Sequence, residues 1–430
     1  MIKNFAKKVV TSLIFNYSRL YYKIYYRNSY KDNAIVLAPS WEGSKGDEAV
    51  IFASSAYIKD NKGTVTLIHL GEKEWRHVDS VTNFYSISTY FKSGGWMEHI
   101  RMIKLFSKHS KFYLLGTDML DGSYGDFISL GLLKIARHAA VTGLSTNIVS
   151  ISVNTWQHPD CLEAIAKLPK KVKVCIRDIL AYNRLKSKIP NREFYLTTDV
   201  AFILKPKSKS EESKKIIQWV QGEKAKGRLI IGVNLNPLSF DEKDMDERLN
   251  TVVKDLAKFD QEQQSNISYL YIPHDFRKKR NDLSILQDLY KKLPEAIQSR
   301  TLVVENNLSS EELKGIAGQV DFGIVSRMHL AVAVLSQGIP AIAVIYQPAK
   351  TGFSNYSESV LSQIYQDKFD GLYRHFDQTE KTFEPDKFQT EGAFYDFLTA
   401  NFQHLKELKS KVEAALPKVK NMAVDNMVGL

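Results

Sequence analysis

The chain has 430 residues, 44% of them hydrophobic, which is enough for two ordinary domains with real cores and excludes an intrinsically disordered protein. Its net charge of +11 favours anionic partners such as phosphorylated metabolites or acidic lipids, and no nucleic-acid motif is present, so nucleic acid is not an expected partner. Cys161 and Cys175 lack metal-ligand spacing, no run of about 18 apolar residues offers a membrane span, and the first residues lack a signal peptide's apolar core and cleavage site; a reduced, cytoplasmic setting fits best.

Residues 1–33 form a basic, aromatic segment. Lys3, Lys7, Lys8, Arg19, Lys23, Arg27 and Lys31 are interleaved with Phe5, Phe15, Tyr17, Tyr21, Tyr22, Tyr25, Tyr26 and Tyr30, and no acid occurs before Asp32. Such a helix-compatible segment can lie in an anionic membrane interface, making the protein peripheral on the inner membrane face, or can pack on the first domain. The first domain is expected over 34–205. Ala34 to Ala38 read as a buried strand, followed by the loop and helix start Gly43-Ser44-Lys45-Gly46-Asp47-Glu48-Ala49, a turn through which a ligand can approach the backbone. Val65 to Leu70 and Phe112 to Leu115 are the next strands. The second ends in Gly116-Thr117-Asp118-Met119-Leu120-Asp121-Gly122-Ser123-Tyr124-Gly125, where Asp118, Asp121 and Tyr124 could bind sugar hydroxyls, or Asp118 could simply cap the following turn. A helix over 126–142 leads to the strand Asn147 to Val153. Val172 to Ile176 is a further strand, closed by the charged pair Arg177-Asp178.

Residues 206–227 are read as linker and first helix, with KPKSKSEESKK at 205–215 supplying Pro, Ser and charge without apolar spacing. The alternation then restarts over 228–365: a strand to Leu235, a helix from Met245, a strand over Ile267 to Ile272 ending in Pro273-His274-Asp275-Phe276, a helix from Asp282, and a strand over Thr301 to Val304. Ser309-Ser310-Glu311-Glu312 forms a capping box. Residues 366–430 read as a poorly patterned extension with one or two helices. The repeated alternation means α/β, two doubly wound Rossmann-like domains.

The most informative stretch is DFGIVSRMHLAVAVLSQGIPAIAVIYQPAKTGF, residues 321–353. It reads as strand, helix, strand, and it puts Arg327 and His329 at the carboxyl end of the first strand, where open α/β sheets bind ligands. A helix amino end offers free N–H groups to an anion, Arg327 a cationic fork, and His329 a group that gains or loses a proton near pH 7. Arg327 is read as a lightly packed cation, whose loss would weaken ligand use with little effect on stability.

Taken together and in order, these segments resemble the polysaccharide pyruvyl transferase family. The matching residues are Gly46-Asp47-Glu48-Ala49, Arg177-Asp178, Thr198-Asp199-Val200-Ala201-Phe202, Ile272-Pro273-His274, Arg327-Met328-His329, Gly338-Ile339-Pro340, and Tyr346 to Lys350. Where many members carry a glycine run after the third strand, this chain has Gly116-Thr117-Asp118-Met119-Leu120-Asp121-Gly122. The resemblance implies two Rossmann-like domains facing a cleft, GT-B-like, and transfer of pyruvate from phosphoenolpyruvate to two hydroxyls of a sugar or lipid-linked oligosaccharide acceptor, giving a cyclic ketal. It implies Arg327, Arg177 and Lys350 as donor-binding residues, His329, His274 and Asp47 as catalytic ones, and Asp118, Asp121 and Tyr124 on the acceptor. No cofactor is called for, and no metal-ligand cluster stands out. Two other readings stay open. Met328-His329-Leu330-Ala331 before a Gly-x-Pro turn also resembles GT-B glycosyltransferases of the heptosyltransferase kind, which use a nucleotide sugar. A degenerate member could instead act as a non-catalytic scaffold in surface-polymer assembly.

Overall fold

A computed structural model describes residues 2–38, 43–71, 78–90, 96–123, 125–240, 244–278, 281–345 and 358–429. Tyr124, Lys350 and the Tyr346 to Lys350 match lie outside the described residues. The chain forms two compact units. The first comprises Met1–Glu42, Val50–Val200 and Met422–Leu430, and the second Gly43–Ala49 and Ala201–Asn421.

The first unit contains α1 (Ile2–Tyr25), β1 (Ala34–Ala38), most of α2 (Lys45–Asp60), β2 (Val65–His69), β3 (Asn83–Ser86), α3 (Trp96–Phe106), β4 (Lys111–Leu115), α4 (Asp126–Thr142), β5 (Ser145–Ile151), α5 (Pro159–Ala166), β6 (Lys173–Ile176), α6 (Ile179–Lys188) and β7 (Tyr195–Leu196). The strands pair in parallel in the order β3-β2-β1-β4-β5-β6-β7. β1 and β2 are buried along their whole length; β1 is a continuous apolar run rather than an alternating one, and β2 also buries Thr66 and His69. β3 and α3 are absent from the sequence reading. β3 is a four-residue edge strand with no fully buried position, so it carries little apolar signal. The carboxyl-terminal segment returns to this unit. The Asn426 side chain accepts from the Ser150 N–H at 2.9 Å and donates to the Thr198 carbonyl at 2.8 Å, and the Tyr113 hydroxyl donates to the Met427 carbonyl at 3.0 Å.

α1 packs on α3 and α4. Phe15 stacks on His138 with ring centroids 4.4 Å apart, and the Ser18 and Thr142 hydroxyls lie 2.8 Å apart. The two readings of the amino-terminal segment are therefore not exclusive, because one face of α1 is core. Among the described residues, no helix is long and apolar enough to cross a membrane.

The second unit contains α7 (Glu211–Ala225), β8 (Leu229–Val233), α8 (Met245–Glu262), β9 (Ile267–Tyr271), α9 (Asp282–Lys292), α10 (Glu295–Gln298), β10 (Thr301–Val303), α11 (Ser310–Ala317), β11 (Phe322–Val325), α12 (Met328–Leu335), β12 (Ala341–Val344), α13 (Glu358–Tyr373), β13 (Thr382–Phe383), α14 (Ala393–Gln403) and α15 (Leu405–Val424), which runs into the carboxyl-terminal segment. The sheet is parallel, in the order β10-β9-β8-β11-β12-β13. The charged run at 205–215 is not all linker: Ser210 caps α7 by accepting from the Ser213 N–H at 3.1 Å, and Glu211 and Glu212 sit favourably in the helix's first turn. Residues 366–390 add the sixth strand, β13, whose Phe383 packs with Phe388, Phe394 and Phe397. Aromatic residues scattered in sequence converge there, so their spacing gives no period to read.

Candidate active site

In the second unit the strand order reverses between β8 and β11, the switch point at which open α/β sheets leave a crevice at the strand carboxyl ends. Asn234 follows β8, His274 and Asp275 follow β9, and Arg327 and His329 follow β11. The Asn234 side chain ties these exits together. Its amide donates to the Ile272 carbonyl and to Asp282, both at 3.0 Å, and its oxygen accepts from the Arg327 N–H at 3.1 Å.

Arg327 is held tightly. Its Nε and Nη2 donate to Asp282 at 3.1 and 2.7 Å, and its Nη1 lies 3.3 Å from Asp275. The side chain is 12% exposed and that of Asp282 is fully buried. This corrects the expectation of a lightly packed cation: the guanidinium neutralises two buried carboxylates. Burial raises the Asp282 carboxyl above its usual range, and Arg327, Asn234 and the His274 N–H pull it part of the way back. Arg277 pairs with Asp275 as well. Burial alone would lower its pKa, but its hydrogen bonds to Asp275 and that residue's charge outweigh burial and raise it.

The segment Gly43–Ala49 packs into this unit. The Lys45 N–H donates to the His274 carbonyl at 3.2 Å, and the Phe276 N–H to the Gly43 carbonyl at 3.0 Å. The buried Lys45 ammonium pairs with Glu48 at 2.9 Å, and Glu48 in turn accepts the Ser310 N–H at 2.7 Å, at the amino end of α11. Asp47 is half-buried beside this loop, its N–H donating weakly to Ser44. Gly46 lies flat on the His329 ring: a Cβ there would fall 2.7 Å from the ring's Cγ, inside any ordinary contact, so only glycine lets the loop approach. His274 is buried. Desolvation, then the positive fields of His329, Arg327 and Lys45, push its pKa well below the usual value and hold it neutral at pH 7. The second unit thus brings together Arg327, His329, His274 and Asp47. Sequence reasoning missed Asn234, Asp275, Arg277, Asp282 and Lys45 as members of this cluster. Their signal was present only as polar residues between a buried strand and the start of the next helix.

The other expected site residues among those described, Arg177, Asp118 and Asp121, belong to the first unit. Arg177 is buried and paired with Asp199 at 3.0 Å. Asp178 caps α6 by accepting from the Ala181 N–H, and it also accepts from the Ser152 hydroxyl; both bonds are 2.7 Å. Asp121 is buried and accepts from the Ser123 N–H at 2.9 Å, the Asn154 N–H at 2.8 Å and the Ser123 hydroxyl. Burial raises its carboxyl, and those donors offset part of the rise. Asp118 lies in the turn after β4, half-buried. Among the described residues, no group of three or more His, Cys, Asp or Glu side chains could hold a metal ion.

The family model described as polysaccharide pyruvyl transferase matches residues 3–348, most of the chain. The chain belongs to that family. Membership makes it a transferase acting in polysaccharide biosynthesis on a sugar or polysaccharide acceptor. No individual curated protein matches the sequence. Among solved structures, the chain is similar to a putative UDP-N-acetylglucosamine 2-epimerase from Listeria monocytogenes, at 10% identity and a TM-score of 0.56, covering 92% of this chain and 94% of that one. It is also similar to MurG from Acinetobacter baumannii, at 12% identity and a TM-score of 0.52, covering 92% and 98%. A glycosyltransferase from Rickettsia africae gives 12% identity and a TM-score of 0.51, covering 92% and 94%. At such identities the likeness concerns the fold alone: two parallel-sheet α/β domains of the GT-B-like class.

Proposed function

We propose that the protein transfers pyruvate from phosphoenolpyruvate to two hydroxyls of a sugar in a cell-surface polysaccharide, such as an exopolysaccharide, or in its lipid-linked precursor at the inner membrane face. One hydroxyl oxygen attacks C2 of the donor as the methylene carbon gains a proton. The C2–O bond to phosphate breaks, and the second hydroxyl closes the ketal. Of the two hydroxyl protons, one ends on the new methyl group and the other on inorganic phosphate.

The observation carrying this reading is the cluster at the β8, β9 and β11 exits, in which His329 stands at the first turn of α12 next to Arg327 and against Gly46, and Lys45, Arg327 and His329 all act on His274. Lys45, Arg277 and Arg327 are balanced by Glu48, Asp275 and Asp282. An anionic donor would therefore be held by directed hydrogen bonds from the α12 amino end, His329 and the guanidinium edges rather than by net field. His329 is proposed as the acid toward the methylene carbon or as a phosphate ligand. Neutral His274 suits hydrogen bonding better than proton donation. Arg177 and Lys350 remain proposed donor contacts. Asp47, Asp118, Asp121 and Tyr124 are proposed to orient or deprotonate acceptor hydroxyls. For Asp121, orientation through Ser123 and Asn154 fits its full set of donors.

Donor-dependent thermal stabilisation tests the reading. At 100 times its dissociation constant, a donor adds about 2.7 kcal/mol. Phosphoenolpyruvate is expected to stabilise the protein, and His329→Ala to abolish the shift. Stabilisation by UDP- or ADP-sugars, with none by phosphoenolpyruvate, would replace the reading with nucleotide-sugar transfer.

A further inference from the structure

α1 has two faces. Thr11, Phe15, Ser18 and Tyr22 turn toward α3 and α4, and Phe15 and Ser18 are buried. On the opposite side Val9, Leu13, Leu20 and Ile24 follow one another at helical spacing, flanked by Val10 and Tyr17, and all six are exposed; Leu13 and Ile24 are each 64% exposed. A contiguous apolar stripe on the outer face of a packed helix marks an interaction surface. Beside it an open pocket of about 500 Å³ lies between α1, the end of α4 and the turn before β6, with Arg19, Lys23 and Lys171 on its walls. Its floor depends on Gly143, whose φ of 138° no other residue adopts readily and whose missing side chain leaves room for the Tyr22 ring. The pocket sits at the amino-terminal edge of the first unit's sheet, whereas Arg177 and Asp121 follow strand carboxyl ends.

We propose that this face of α1 docks the protein in the plane of an anionic lipid bilayer, with the aliphatic stripe entering the acyl boundary and the Arg19–Lys23–Lys171 pocket taking a lipid phosphate. Charge selects this occupant. Residues 1–31 contain seven basic side chains and no acidic one, so a second copy of the helix would bring like charges together, while an acidic bilayer surface offers the opposite sign. Among the described residues, Arg19, Lys23 and Lys171 have no carboxylate partner, leaving their donors to charge-assisted bonds with phosphate oxygens. The submerged residues are mainly aliphatic. Phe15, one of the aromatic residues of the segment read from sequence as interfacial, belongs to the inner face, and Tyr22 is half-buried at the pocket. The surface rests on α1 and its pocket alone and stands whether or not the donor is phosphoenolpyruvate.

Flotation of the full chain with phosphatidylcholine vesicles, with and without about one-third phosphatidylglycerol, tests the proposal. Binding is expected to the anionic vesicles only and to weaken at 1 M salt, where screening shortens to about 3 Å. Leu13→Asp/Leu20→Asp is expected to abolish flotation at an unchanged melting temperature. Arg19→Ala/Lys23→Ala/Lys171→Ala is expected to weaken partitioning by on the order of a hundredfold. Should the stripe variant melt early, an environment-sensitive label on Leu20→Cys reads the same contact: its emission should shift to the blue on anionic vesicles. The proposal is overturned if the full chain does not float, if it floats equally with neutral vesicles, or if the label is unmoved. A dimer that dissociates in the stripe variant, without flotation, would assign the face to a second copy instead, and saturable uptake of inorganic phosphate by a chain that never floats would make the pocket a site for free phosphate.

Discussion

Replacing Arg327 by alanine is expected to unfold the second unit more readily before it says anything about catalysis. Asp282 is fully buried and takes hydrogen bonds from two nitrogens of this guanidinium, and Asp275, 2% exposed, faces its third nitrogen. Asn234 and the His274 N–H still donate to Asp282 in the variant, but no cation remains against it. Stranding a buried charge in this way costs about 3–5 kcal/mol. At roughly 2–4 °C per kcal/mol for a unit of this size, the melting temperature should fall by roughly 10 °C. The loss has a defined pH dependence. The Asp282 pKa is already raised by burial and rises further once Arg327 is gone. A carboxyl whose folded pKa exceeds its unfolded one destabilises the fold at every pH above the unfolded value, by an amount that grows until pH reaches the folded value, so the deficit should be larger at pH 7 and shrink toward pH 5. Arg327→Ala/Asp282→Asn, which removes both charges, should recover most of the loss. Urea unfolding of wild type and the two variants at pH 7 and 5 measures all of this. A single variant as stable as wild type, or a double variant no better than the single, would refute the buried-pair argument and restore Arg327 as a lightly packed cation.

Gly46→Ala forces the His329 ring aside. A displacement of about 1 Å costs up to a hundredfold in rate, while the helix preference of alanine over glycine adds about 1 kcal/mol, so transfer should fall at least tenfold at near-constant stability; unchanged turnover would remove His329 from the chemistry. The first unit should be acid-labile. His99 and His138 share an Nδ1–Nδ1 hydrogen bond of 2.9 Å, which requires the accepting ring to be neutral, and burial keeps both rings neutral at pH 7 by pushing His99 down to about 3 and His138 well below its usual value. With folded values below the unfolded 6.5, stability is complete above about pH 6.5 and is lost as pH falls, by on the order of 2 kcal/mol per histidine at pH 5. Urea midpoints at pH 7 and pH 5 that coincide would show that these rings are not buried neutral.

Buried parallel strands announce themselves as apolar runs, and polar residues directly after them can only sit at strand ends. For that reason the alternation of the two sheets and the exits carrying Arg177, His274 and Arg327 were legible in the sequence, as was the 17-residue helix α4 with glycines at both ends. Edge strands β3 and β13 were not, because half-exposed or two-residue strands bury too little to leave a pattern.

Partnership was decided by the tertiary structure alone. An arginine at a strand exit looks the same in sequence whether it awaits an anion or neutralises two buried acids, since Asp275 and Asp282 lie about fifty residues earlier and reach it only through the adjacency of β8, β9 and β11. The sequence likewise determined that residues 1–31 are cationic, aromatic and helix-compatible. Only packing determined which side of α1 is core, because Phe15 and Leu13 are equally apolar and differ only in which of them meets His138. Composition sets what a segment can bury, but the neighbours that the fold supplies determine which surface is buried and which charge is already matched.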